Sequence, residues 1–304
     1  MLAGKTILVT GAGRGLGAAY ATECARQGAS VVVNDLDATV AEETAAAISS
    51  AGGTAVAAQA DVRRSTDVER LVERTVAEYG RIDGLVNNAG VFRMNTLLEL
   101  DPEELQLLLE TNVVGTFLCA SAAAKRMREQ GSGAIVNVTS GAHAGIPMMS
   151  GYAATKGAVA SATYTWAQEL AGYGVRVNAV SPQARTRMSD ITAEYLTSHG
   201  HPSYPGTQPE AESNAGTVAF LLSDRAADVT GQLVRIEGTQ LALMTHPCVL
   251  LPLSTRESWP AEAVADAFAE DLGKRQQPTG IRGLSHGEVG GVPSVFWSDE
   301  SEES

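Results

Sequence analysis

The sequence predicts a doubly wound α/β fold, a parallel sheet of about seven strands with helices on both faces. Three observations lead there. Short β-rich runs alternate with longer stretches rich in Ala, Glu and Leu. The runs are nearly continuous in apolar residues instead of alternating with polar ones, as strands covered on both faces must be. A glycine-rich turn follows the first run directly.

Strands are expected at residues 6–10, 30–34, 54–59, 82–86, 134–138, 175–180 and 232–236. The intervening stretches, among them 38–51, 65–79 and 102–128, are expected as helices. Asp37 and Ser65 stand where helix caps belong, and Asp101-Pro102 puts a proline in a first turn, where its missing N–H is harmless. Two segments break the rhythm. Residues 184–209, with a helical piece only at 189–197, read as a lid over a binding site. Beyond Gly238 come an apolar stretch at 241–253, a helix at 260–272 and a glycine-rich end. The organisation expected is one catalytic domain at 1–240 and an extension at 241–304. The apolar stretch is expected to pack on a neighbouring subunit, and the end of the chain, with four acids and no base at 298–304, to be disordered.

Composition narrows the function. A chain of 304 residues with 44% hydrophobic content, 31 Gly and 5% aromatics is large enough for a substantial core. A formal net charge of −13 excludes nucleic acid and anionic lipid as expected partners. The three cysteines, Cys24, Cys119 and Cys248, lie far apart, without metal-like spacing or a disulfide framework. His201, His246 and His286 show no ligand spacing, so no metal is expected. There is neither a signal-like start nor an apolar run of membrane-spanning length, and a cytoplasmic protein is expected.

The first strand runs into Gly11-Ala12-Gly13-Arg14-Gly15-Leu16-Gly17 and then a helix. Glycines remove the Cβ atoms that would keep a pyrophosphate off the backbone, and the helix N-terminus adds partial positive charge. The second strand leads into Asp35, twenty residues after Gly15, where a carboxylate accepts from both ribose hydroxyls and repels a 2′-phosphate. Arg14 pulls toward the phosphorylated cofactor, but no base follows Asp35. NAD is therefore expected over NADP.

Tyr152 and Lys156 are four residues apart in a helical stretch and share a face. Free tyrosine titrates near pH ~10, too high for a base at neutrality. A neighbouring ammonium and an oxidised nicotinamide favour phenolate, so that Tyr152 takes a proton from an alcohol or gives one to a ketone. Ser140, just past the fifth strand, is placed to steady the developing alkoxide; Thr139 is the alternative hydroxyl. His143 in the following loop is a candidate substrate contact. Met148, Met149 and Tyr204 are candidate pocket walls.

These pieces together resemble the short-chain dehydrogenase/reductase family over about residues 4–238. The resemblance rests on Thr10-Gly11-x-x-x-Gly15-x-Gly17, Asp61-Val62, Asn87-Asn88-Ala89-Gly90, Asn112, Ser140, Tyr152-x-x-x-Lys156 and Ser181-Pro182. It implies a Rossmann-type domain in which Asp61 and Val62 flank the adenine and Asn88, Ala89 and Gly90 line the cofactor. Lys156 would also hold the nicotinamide ribose, and Asn112 would hold a relay water. It further implies a small alcohol or ketone as substrate and a homotetramer packed through the helices of Asn112 and Tyr152. Two departures stand out. Ser140 precedes Tyr152 by twelve residues, one fewer than the commonest spacing, and Pro182 is followed by Gln183 where glycine is usual. Gln183 is thus placed near the nicotinamide or substrate, and Thr186 matches a threonine that reaches the carboxamide. A regulator that binds NAD without turnover, and a redox-neutral enzyme using NAD transiently, are the alternative functions.

Overall fold

The computed structural model describes residues 1–202, 208–250, 252–277 and 280. Two compact units divide the chain, Met1–Met244 and Thr245–Ser304.

In the first unit the strands are β1 (Thr6–Val9), β2 (Ser30–Asp35), β3 (Thr54–Gln59), β4 (Gly84–Asn87), β5 (Gly133–Val138), β6 (Val175–Gln183), β7 (Leu233–Glu237) and β8 (Gln240–Leu243). Its helices are α1 (Gly15–Arg26), α2 (Ala38–Ser50), α3 (Ser65–Tyr79), α4 (Pro102–Leu108), α5 (Gly115–Gln130), α6 (Ser150–Ala171), α7 (Arg187–Ser198) and α8 (Ala215–Leu222). The strand order is β3-β2-β1-β4-β5-β6-β7-β8, parallel except for the final pair. The order reverses between β1 and β4, and a crevice opens beyond the strand ends at such a switch point.

Alternation along each strand explains the two apolar layers. Ile7 and Val9 face one side with α1, α2 and α8, where Tyr20, Ala41 and Val218 pack. Leu8 faces the other with α3 and α5, among Leu71, Cys119 and Met127. Both layers are apolar, which is why the strands carry so little polar alternation.

Four sequence expectations change. The sheet has eight strands, because 240–243 turns back antiparallel on β7; only four residues with two leucines gave that strand little signal. Ser65 is the first helical residue of α3, not its cap, and Arg64 precedes it. Asp37 and Asp101 do cap, accepting from Thr39 N and Glu103 N. The helix expected at 102–128 is interrupted by a π-turn, Leu109–Val114. Finally, Pro102–Gln130 is long and apolar enough by composition to cross a bilayer, although Cys119, Ala123 and Met127 on its inner side belong to the core of the domain.

In the second unit α9 (Ala261–Glu270) carries Ala267 inward and leaves Val264 and Phe268 exposed. Arg256 lies 5.6 Å from the Trp259 ring centroid. His286, Tyr204 and the acidic end at 298–304 lie outside the described residues. Cys24 and Cys119 are buried free thiols and Cys248 is an exposed one. No metal-binding group of His, Cys, Asp or Glu occurs among the described residues.

Candidate active site

The turn after β1 is built so that side chains are excluded. Gly11 and Gly15 have positive φ, and a Cβ on Gly17 would stand 2.2 Å from the Gly11 carbonyl oxygen and 2.4 Å from Asn88 Nδ2. Asn88 closes the back of the turn, donating through Nδ2 to the carbonyls of Thr10 and Gly11 at 3.0 and 2.8 Å. The Thr10 hydroxyl accepts from the backbone N–H groups of Asn88 and Ala89. Leu16 packs on the apolar layer beneath. The Asn-Asn-Ala-Gly turn after β4 is thus a brace for the glycine turn after β1.

At the end of β2, Asp35 Oδ2 accepts from Gly13 N at 3.0 Å, and a Cβ on Gly13 would come within 2.9 Å of that oxygen. A carboxylate held against the glycine turn fits the ribose of a dinucleotide. Arg14 meets Asp37 at 3.4 Å, with both side chains half exposed. Asp61 is gripped by Arg63 through three charge-assisted hydrogen bonds, which hold its carboxyl below the usual carboxylate range. Val62 is buried against α5, at the spot a Cβ on Gly115 would occupy.

Asn112 is fully buried on the π-turn. Its side chain accepts from Val91 N at 2.8 Å and donates to the Val91 carbonyl and to Thr155 Oγ1. Those bonds use both amide protons and one of the two lone pairs of Oδ1, which commits the side chain largely to holding Val91 and Thr155. The backbone carbonyl accepts from Thr116 Oγ1 and keeps a second lone pair. A π-turn, which breaks the regular α-helical carbonyl pattern, suits that use.

Tyr152 and Lys156 lie on one face of α6, both buried. Lys156 Nζ donates to the Val138 carbonyl at 2.8 Å and sits 5.7 Å from the Tyr152 ring centroid. Phe92 meets the Tyr152 ring edge-on at 4.8 Å. Burial dominates the ionisation of both. It pushes the phenol up to about 12, partly offset by a hydrogen bond with Ser140, and pushes the ammonium down to about 8. This corrects the simple expectation that the neighbouring ammonium lowers the phenol: in the chain by itself, desolvation wins.

Ser140 begins the short turn Gly141–Ala144 and accepts from Ala142 N. The rival hydroxyl, Thr139 Oγ1, donates to the Lys156 carbonyl and thereby ties α6 to β5. The His143 ring contacts the Ser140 carbonyl at 2.5 Å, which makes it a support for the serine turn. Pro182 and Gln183 end β6, and Thr186 caps α7 by accepting from Met188 N.

Around Tyr152 gather Phe92, Met94, Leu108, Ala142, Met148 and Met149, together with Ile191 and Tyr195 of α7. The segment read as a lid therefore contributes Ile191 and Tyr195 to the apolar cluster that holds Tyr152. α7 is fastened at its far end, where Tyr195 donates to Glu99 Oε2 at 2.8 Å and His199 Nε2 lies 3.7 Å from Glu99. Glu99 also accepts from Thr96 N and Oγ1, and these bonds hold its carboxyl down at about 2. Sequence reasoning missed this fastening, because Glu99 and Tyr195 are 96 residues apart.

The model of the short chain dehydrogenase family matches residues 5–195. This chain is a short-chain dehydrogenase. It is 40% identical over 248 residues to a 3-oxoacyl-[acyl-carrier-protein] reductase of Synechocystis, covering 78% of this chain and 97% of that one. It is 37% identical over 251 residues to 2-(S)-hydroxypropyl-CoM dehydrogenase 3 of Xanthobacter autotrophicus, covering 80% and 98%. A short chain dehydrogenase structure from Mycobacterium avium superposes with a TM-score of 0.81 at 29% identity, over 93% of this chain and 99% of that one. NAD+-bound xylitol dehydrogenase gives 0.71 at 29% identity, over 78% and 99%. As a short-chain dehydrogenase the protein is an oxidoreductase with a nicotinamide cofactor.

Proposed function

We infer that this oxidoreductase uses NAD(H) to interconvert a secondary alcohol and a ketone, with Tyr152 as the general acid/base. The observation that carries the reading is the buried pair Tyr152 and Lys156, with the half-buried Ser140 hydroxyl hydrogen-bonded to the phenol. The glycine turn after β1 lies at the switch point of the same sheet, and Asp35 at the end of β2 is hydrogen-bonded to it. A bound nicotinamide supplies the hydride acceptor or donor, and in its oxidised form a positive charge.

The remaining roles fall to side chains. In reduction Tyr152, neutral well past pH 8, gives its proton to the carbonyl oxygen, and the Ser140 hydroxyl stabilises the charge that develops there. In oxidation Tyr152 takes the hydroxyl proton. Lys156 supplies nearby positive charge while protonated, below about pH 8, and holds the nicotinamide ribose. Asn112, through its carbonyl, carries the relay water that reconnects Lys156 to solvent. The Asp35 carboxylate receives ribose hydroxyls and disfavours a 2′-phosphate, while Arg14, held by Asp37, does not offset it.

The test is nicotinamide absorbance with NAD or NADP over a panel of secondary alcohols and ketones. The expected result is turnover with NAD at least tenfold more efficient than with NADP, and a preference reduced or reversed in Asp35→Ser. A preference for NADP in the unaltered chain would refute the cofactor assignment.

The same reading includes a homotetramer. Leu109, Val114, Phe117 and Tyr173 are 42–46% exposed, on the π-turn between α4 and α5, on α5 and just beyond the end of α6, and Phe117 stacks edge-on against Trp166. An apolar face of this kind calls for a partner, and a second copy of the chain is the partner proposed. Light scattering should report four copies; a monomer at micromolar concentration would contradict it.

A further inference from the structure

Gln183 has a neighbour that fixes what it can offer. β6 and β7 pair with Ser181 opposite Arg235 and Gln183 opposite Glu237, so all four side chains share one face. Arg235 donates to Ser181 Oγ at 3.3 Å, to Gln183 Oε1 at 2.8 Å and to Glu237 Oε2 at 2.7 Å. Glu237 anchors the guanidinium. A guanidinium has donors and no acceptor, so the Gln183 carboxamide must turn its oxygen toward Arg235. Its NH2 group is left pointing away, with no partner among the described residues, and Gln183 is only partly buried.

The ladder of contacts between α6 and the sheet shows how high on the sheet Gln183 stands. Asn137 Nδ2 donates to Thr163 Oγ1, and two residues up the strand Thr139 Oγ1 donates to the Lys156 carbonyl, so α6 runs antiparallel to β5 and β6. Ala160 and Ala179 pack together one step lower. From Ala160 back to Tyr152 the helix climbs about 12 Å, at about 1.5 Å per residue. From Ala179 to Gln183 the strand climbs about 13 Å, at about 3.3 Å per residue. Gln183 therefore reaches the height of Tyr152 on the same face of the sheet.

We propose that Gln183, oriented by Arg235, donates its amide N–H to a second oxygen of the substrate. The enzyme then selects ketones and alcohols that carry an acceptor oxygen near the reacting carbon, over those with a plain hydrocarbon chain. Gln183 is the specificity-determining residue and Arg235 its positioning residue. The inference rests on the alcohol–ketone reading above.

The test is the ratio of kcat/KM for two ketones of equal chain length, methyl acetoacetate and butyl methyl ketone, with direct NADH binding measured in parallel. A ratio cancels any loss of folded enzyme. The unaltered chain should favour methyl acetoacetate. Gln183→Leu should lower the ratio about tenfold, the worth of one hydrogen bond in a partly desolvated site. Arg235→Met frees the amide to rotate and should lower the ratio less; Arg235→Lys, again a donor only, should restore it. An unchanged ratio in Gln183→Leu overturns the proposal. So does an equal loss on both ketones with weakened NADH binding, which would place the amide on the cofactor. Failure of the unaltered chain to reduce any ketone overturns the parent reading instead, and is told apart by that.

Discussion

Lys156→Met should stabilise the fold while it abolishes turnover. The ammonium is buried, its one hydrogen-bond acceptor among the described residues is the Val138 carbonyl, and desolvation lowers its pKa from 10.5 to about 8. At about 1.4 kcal/mol per pH unit, holding it charged near neutrality costs the fold roughly 3 kcal/mol. Methionine fills similar space without charge and loses one hydrogen bond, about 1 kcal/mol. The net gain is about 2 kcal/mol, which raises Tm by roughly 5 °C for a domain of this size. The pH dependence carries a definite sign. Below about pH 8 the lysine is protonated in both folded and unfolded chains and the full cost is present. Between about 8 and 10.5 the folded chain gives up its proton first, so stability rises with pH; above 10.5 both are neutral and the gain is complete. The buried thiols Cys24 and Cys119 have raised pKa values and pull stability down over part of the same range, so the assay is the difference between unaltered chain and variant. Urea denaturation of the cofactor-free protein from pH 6 to pH 11 should show a variant advantage near neutrality that disappears by about pH 10.5. A variant less stable at pH 7, or a difference flat across the range, would refute the reasoning.

Two further perturbations test the supports of the site. Gly17→Ala forces a methyl to within 2.2 Å of the Gly11 carbonyl, a backbone atom that cannot step aside; calorimetry should show a loss of about 2 kcal/mol or more, and NADH binding should weaken at least tenfold. Glu99→Gln removes the charge that receives Tyr195 and Thr96, so α7 should loosen and KM should rise a few-fold with kcat little changed; an unaltered KM would show that the fastening does not govern substrate binding.

Much of the fold is written in local sequence. The central parallel strands are legible because they are buried on both faces and so are apolar runs, as Ile7, Leu8 and Val9 show by serving opposite layers. The glycine turn is legible because Gly11 and Gly15 adopt positive φ and the nearest atom to a Cβ on Gly17 is the Gly11 carbonyl oxygen, all within seven residues. What escaped detection depends on pairing that no single run of residues displays. β8 is a strand only because β7 offers an edge to Leu241 and Leu243. The π-turn at Asn112 follows from hydrogen bonds to Val91 and Thr155, which no periodicity encodes. The direction of the Tyr152 shift depends on how completely α6, Phe92 and the lid enclose the phenol. Arg235 sits in the last parallel strand and gave no sign of its hold on Gln183.

The most direct measurement is the rate of NADH formation by Tyr152→Phe, read beside its NADH affinity. Removing one hydroxyl from a ring held by Phe92 leaves the packing in place. The expected result is a fall in turnover of at least about a thousandfold, with NADH bound as tightly as before. Turnover retained within tenfold would contradict the assignment of the proton transfer to Tyr152, and equal binding with no turnover by either protein would make the chain a binder of the cofactor and not a dehydrogenase of alcohols.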